Sequence, residues 1–263
     1  VLLLFNWSLR RVVKILEHFE KGFEAFRKVA YLAIIPLFLD IFFHWYEGFL
    51  AAFSGTFRMG VKFSIPWDLP SIENFYDFPK ITMMLPIYSA IWTTISTVIY
   101  AFILGGYLGK IHQAVRGMQF EPFMKLSSKY FIRFLFLKIL WLILALPAFF
   151  MGMVAIVYIV FLLILGYFLY LTPFIIIADD IPFFDAIRKS VVLASNRGEV
   201  LKYALIFMVL TAIVSAFIYL LMNIPIAGFL ISVIITSIVG TTFTAATMDF
   251  YIHLQEIEHL SIV

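Results

Sequence analysis

The chain has 263 residues, 63% of them hydrophobic and 13% charged, with a net charge of +3 and no Cys. A soluble domain carries roughly 25% charged residues, so with a mean hydropathy of +1.03 no segment here has the composition of one. The absence of Cys excludes disulfides, thiolate metal sites and Cys nucleophiles, and the bases flank apolar runs, as membrane-surface anchors do and a nucleic-acid stripe does not.

The opening VLLLFNW is too short for a signal-peptide core, so no secretory leader is expected. Residues 8–28 are amphipathic. Leu9, Val12, Leu16, Phe19, Phe23 and Phe26 recur at steps of three and four, and bases and acids fill the remainder. Ser8 fits an N-cap. Such a helix lies in the membrane interface or packs on the rest of the protein; both readings stand.

Six apolar runs follow, at about 29–53, 81–108, 130–150, 152–178, 200–222 and 226–250. Each is long enough to span a bilayer core as a helix. Residues 54–80, with Pro66, Pro70, Pro79, Asp68, Glu73 and Asp77, read as the one large loop. The second run ends in Gly105, Gly106 and Gly109, and the basic stretch 110–129 breaks at Glu121-Pro122. The third run closes at Pro147 and Gly152. The last two are separated only by Asn223 to Pro225, which implies antiparallel helix hairpins. A polar tail runs from His253 to His259.

The bases are unevenly dealt. Arg10, Arg11, Lys14, Lys21, Arg27 and Lys28 precede the first run. Lys110, Arg116, Lys125, Lys129 and Arg133 follow the second, and Arg188, Lys189, Arg197 and Lys202 follow the fourth. The other side holds Arg58, Lys62 and Lys80, and Lys138 lies inside the third run. The positive-inside rule places both termini in the cytoplasm, and an even number of spans agrees with this. A weak repeat, FEAFRK at 23–28 and FDAIRK at 184–189, with PFMKLSSK at 122–129 in the equivalent place, suggests three units, each an interfacial helix followed by a transmembrane hairpin.

The stretch TPFIIIADDIPFFDAIRKSVVLASNRG (172–198) has a Pro near a span end, an acidic turn, an Ala-x-x-x-Ser helix and Asn196 with Gly198 before the next span. With GGYLGKIHQAVRGMQFEP (105–122), it resembles multi-span prokaryotic proteins, archaeal ones among them, related to the membrane domain of glycerophosphoryl diester phosphodiesterases. The resemblance covers most of the chain after residue 80. It implies a fold and a membrane location, and no reaction. Read physically, Asp179 or Asp180 caps the helix that begins near Pro182, Arg188 and Lys189 suit its far end, and Asn196 with Gly198 suits a left-handed stop.

Ionisable residues at membrane depth are costly and often functional. Asp40, His44 and Glu47 share one face of the first span. Asp40 lies twelve residues beyond Lys28, at roughly 18 Å depth. The three residues fit a metal site or a proton relay; alternatively His44 to Glu47 form an ordinary interface belt and Asp40 alone is buried. Lys138, at roughly 13 Å depth, is the candidate partner of Asp40. Hydroxyl stripes, Ser89, Thr93 and Thr97 in the second span and Ser232, Thr236 and Thr244 in the sixth, suit close helix packing or a polar path. No P-loop, dinucleotide fingerprint, HExxH or GxSxG motif occurs, so no cofactor or catalytic residue is expected.

The expected architecture is an all-α polytopic bundle in the plasma membrane. It has an interfacial helix (1–28), a six-span domain (29–250) and a cytoplasmic tail (251–263). The expected function is non-enzymatic, transport of a solute or handling of lipid. The alternative is a scaffold bound to another membrane protein or to further copies of itself; an intramembrane enzyme ranks below both. Membrane lipids are the expected partners, and nucleic acid is not.

Overall fold

The chain is seen in a computed structural model that describes the backbone of residues 2–53, 58–65, 68–78, 86–149, 155–196, 198–224 and 226–260. Side chains are described for the same residues outside 2–14, 49–53, 86–92, 148–149, 155, 196 and 258–260. Nine α-helices and no strand occur among the described residues: α1 (Leu2–Lys28), α2 (Ile34–Phe53), α3 (Pro86–Arg116), α4 (Phe123–Ala145), α5 (Ala155–Leu169), α6 (Thr172–Ala178), α7 (Phe183–Asn196), α8 (Gly198–Leu221) and α9 (Ala227–Leu260).

Five helical stretches are long and apolar enough to cross a membrane: Ala30–Gly48, Thr93–Arg116, Ile156–Ala178, Gly198–Leu221 and Ala227–Ile257. They match five of the six expected runs. The remaining one is α4, whose 23 residues include Lys125, Lys129, Arg133 and Lys138, too many charges for the composition alone to mark it as a span. Nor is PFMKLSSK a separate interfacial element, because from Phe123 onward it forms the first turns of α4. The fourth run is a broken span. α5 ends at Leu169, and α6 restarts with Pro173 in its first turn, where a missing N–H costs nothing.

The α3–α4 turn follows the sequence closely. Gly117 adopts φ +66 after the last residue of α3, and Met118 N donates to Gln113 O at 2.9 Å. This is the six-to-one bond of a left-handed helix stop, which Gly enters without a Cβ clash. Other boundaries differ. α1 starts at Leu2, six residues before Ser8, so Ser8 lies inside the helix and not at its start. The polar stretch from His253 is helical, since α9 continues to Leu260.

The chain forms two compact units. The first comprises Val1–Thr82, Gln113–Met118 and Lys202–Val263; the second comprises Met83–His112 and Gln119–Leu201.

In the first unit α1 runs along α9. A Cβ on Gly22 would lie 2.6 Å from the backbone N of Ala246, so this crossing depends on a glycine, as small-residue helix contacts do. The buried side of α1 is Ile15, His18, Ala25 and Phe26, while Leu16 and Phe23 are exposed. The bulky apolar face expected from periodicity is therefore partly an outer face, and Ala25 joins Ile15 and Phe26 on the inner one. Rings complete the joint: Phe19 stacks on Tyr203 and meets Phe243 edge-on.

In the second unit α7 packs Phe183, Ala186, Ser190, Leu193 and Ala194 inward and turns Phe184, Val191 and Val192 outward. Ser190 Oγ donates to Phe168 O at 2.7 Å, and Tyr167 OH donates to Ala194 O at 3.1 Å. α3 and α4 approach closely at Gly106, where a Cβ would lie 2.3 Å from Ser127 Oγ.

Candidate functional site

The residues between α2 and α3 look in sequence like an aqueous loop. In the structure, 58–65 and 68–78 fold back among α2, α8 and α9. Ile72 and Phe75 are fully buried and Tyr76 nearly so, in one cluster with Ile218, Tyr219, Met222, Phe229 and Val233. Pro70 reaches the middle of α9, where a Cβ on Gly240 would sit 2.3 Å from Pro70 Cβ. Gly240 is thirteen residues into α9, roughly 20 Å along its axis. The loop is thus an inserted segment, and its polar composition conceals the apolar anchors Leu69, Ile72, Phe75 and Tyr76.

An irregular segment inside a bundle must find partners for its backbone groups, and here side chains supply them. Asp40, 1% exposed, accepts from Ser71 Oγ at 2.6 Å through one oxygen and from Ile72 N at 2.7 Å through the other. Ser71 also accepts from Glu73 N at 3.2 Å, so Asp40 and Ser71 together cap the short 3-10 turn Ile72–Asn74. Ser215 Oγ donates to Phe75 O at 2.6 Å and accepts from Lys62 N at 2.8 Å. Asn223 accepts from Arg58 N at 2.8 Å and donates to Arg58 O at 3.0 Å, pairing as a strand neighbour would.

Asp40 therefore takes its partners from its own unit. Lys138, the other candidate, lies in the second unit, with its Nζ 5.4 Å from the centre of the Tyr100 ring. His44 and Glu47 stay together: His44 Nδ1 lies 3.1 Å from Glu47 Oε2 and 3.9 Å from Glu73 Oε1, and its ring stacks on Phe78. Among the described residues no group of His, Asp and Glu is arranged to hold a metal ion. Beside this cluster opens a cavity of about 640 Å³ lined by Glu47, Lys62, Glu73, Asn74, Tyr76, Asp77 and Phe78. Lys62 bridges Asp77 and also donates to Glu73 O. Three carboxylates and one ammonium line it, and the Arg58 guanidinium bonds to Tyr76 at its wall.

The two hydroxyl stripes differ. Ser232, Thr236 and Thr244 are buried in α9. Thr236 donates to Val233 O and Thr244 to Gly240 O. Thr236 and Thr244 thus return their hydroxyls to their own helix, whereas Ser232 Oγ is buried without a hydrogen-bond partner among the described residues. In α3, Thr93 is exposed and Thr97 half-buried, and the Ser89 side chain lies outside the described residues.

Sequence reading missed the donors to Asp40 and the anchors at Ser215 and Asn223. The Ser-x-Glu start after Pro70 was the available sign, a cap beginning a helical turn. It also missed His18, whose Nδ1 lies 2.6 Å from Asp249 Oδ2, 231 residues away in the chain.

In the second unit the acidic turn serves ion pairs. Asp180 meets Lys129 at 2.7 Å and Arg133 at 2.8 Å, and Asp179 meets Lys189 at 2.7 Å. The Pro182 carbonyl accepts the first bond of α7 from Ala186 N. Burial alone would raise the Asp180 carboxyl, but the hydrogen bonds from Lys129 and Arg133 outweigh it and hold the group below its ordinary 3.8. The bond to Asp180 likewise lifts Lys129 above its usual value, against the opposing effect of burial.

Compared with protein-family models, with curated proteins and with solved structures, the chain finds no match.

Proposed function

We propose that this is a multi-pass plasma-membrane protein that moves a small cationic solute through its first unit, with both termini in the cytoplasm and α4 as a sixth span. The observation that carries the reading is the inserted segment 58–78. Non-helical backbone at membrane depth is tolerated only where protein covers it or where it lines a hydrated cavity. Here it is covered along Ile72 and Phe75 and ends at a cavity rich in carboxylates. Transporters use interrupted helical elements in this way to bring polar groups into the bilayer. In the same reading Asp40 is the fixture that holds the segment, while Glu47, Glu73 and Asp77 meet the solute. The positive bias of the segments flanking the spans supports the orientation.

The test is uptake of a panel of small inorganic and organic cations into proteoliposomes. At least one should enter faster than into protein-free liposomes, and Glu73→Gln with Asp77→Asn should slow it about tenfold, the loss of one good charge-assisted contact. Failure of every cation to exceed the protein-free control would overturn the reading.

A further inference from the structure

A second cavity, of about 280 Å³, lies in the first unit where α1 meets the far part of α9 and the last turn of α3. Lys21, Glu24, Ala25, Lys28, Ala114 and Asp249 line it. Its level is set by two candidate spans. Lys28 lies two residues before the span that starts at Ala30, and Ala114 two residues before the end of the span that finishes at Arg116. Span ends mark the height of lipid headgroups.

The charges here are balanced, and two of them are held by hydrogen bonds. Lys28 Nζ donates to Ala114 O at 3.5 Å, answering one of the carbonyls that a helix end leaves open. Asp249 is held through Oδ2 by His18, which leaves Oδ1 as an acceptor. The His18 ring is itself clamped edge-on by Phe250 and Tyr203. Lys21 and Glu24 are exposed and share one face of α1 at i, i+3. A simple anion entering this cavity meets two carboxylates, and a simple cation meets two ammonium groups. A ligand with both signs is matched by both. Phe23, Tyr31 and Ile34 are exposed on the same stretch of chain, an apolar surface suited to acyl chains.

We propose that this cavity binds a zwitterion carrying a phosphoryl anion and a primary ammonium group, the chemistry of an aminophospholipid headgroup. The phosphoryl oxygens accept from Lys21 and Lys28, and the ammonium donates to Glu24 and Asp249. The site is independent of the transport reading and of the cavity near Glu73.

Binding is measured on the full chain in detergent by calorimetry, with dihexanoyl phosphatidylethanolamine, dihexanoyl phosphatidylglycerol and free O-phosphoethanolamine as probes. The ethanolamine lipid should bind saturably, and about tenfold more tightly than the glycerol lipid, which lacks the ammonium. Glu24→Gln should weaken only the ethanolamine lipid, about tenfold, whereas Lys21→Gln should weaken both. Both residues are exposed, so these variants keep the fold. Competition by free O-phosphoethanolamine at equal affinity would make the ligand a soluble zwitterion, and a much weaker effect would make it the lipid. Equal affinity for the two lipids, or binding untouched by both substitutions, overturns the proposal.

Discussion

A carboxylate withdrawn from solvent is tolerated only when its oxygens are met, and Asp40 meets an O–H and an N–H at hydrogen-bonding distance. Its removal leaves the Ile72 N–H buried without its acceptor. Asp40→Ala should therefore cost on the order of 3 kcal/mol, read as a lowered melting temperature in detergent. Ser71→Ala should cost about 1 kcal/mol, since the Ile72 bond survives. Asp180 offers a pH test. Its carboxyl lies below 3.8 in the fold, so its contribution is fully present above that value and fades as the pH drops through the lowered one. Asp180→Asn should melt earlier than the parent at pH 7, and the gap should narrow by pH 3. Asn is the apt replacement because residue 180 adopts φ 54, a left-handed geometry that Asn tolerates. The carboxylate of Asp40 was visible in the sequence, since a charge inside an apolar run stands out. Its partners were not, because Ser71 and Ile72 lie in a stretch whose prolines and acids look like surface.

The inserted segment is held by apolar anchors as much as by hydrogen bonds. Ile72 and Phe75 come from a loop that would otherwise be wet, so burying each contributes about 1.5–3 kcal/mol. Gly240 makes room for Pro70. Gly240→Val should expel the segment or strain it, at about 1–3 kcal/mol, and should speed proteolysis between residues 58 and 78. Gly22→Val should instead loosen α1 from α9 and leave that segment protected. Helix identity was legible because long apolar runs have few other solutions in lipid. The inner face of α1 was less so: periodicity favours bulky apolar residues, whereas close packing selected Gly22, Ala25 and His18 and left Phe23 outside.

At the level of the whole chain, five stretches meet the requirements for a span, and the side of the C-terminus turns on α4. If α4 crosses, the count is even and the termini share a side. Because the chain has no Cys, single cysteines can be introduced without clearing a background. Cysteines at Glu20 and Glu256 should react with an impermeant thiol reagent only in inverted vesicles, and one at Met59, which is 75% exposed, only in intact cells. Opposite labelling at 20 and 256 would remove α4 from the membrane. Charge distribution gave this topology a definite sign from sequence alone, whereas hydropathy is equivocal for a helix with four bases.

The inserted segment also fixes an order of events during synthesis. Arg58 and Asn223 are 165 residues apart, and Phe75 and Ser215 are 140 apart. Residues 58–78 leave the ribosome long before α8 and α9 exist, so their backbone must wait in water while the second unit is made. The first unit closes only when the last helices arrive, so a chain truncated before α8 should carry an exposed, protease-sensitive stretch that the finished protein hides.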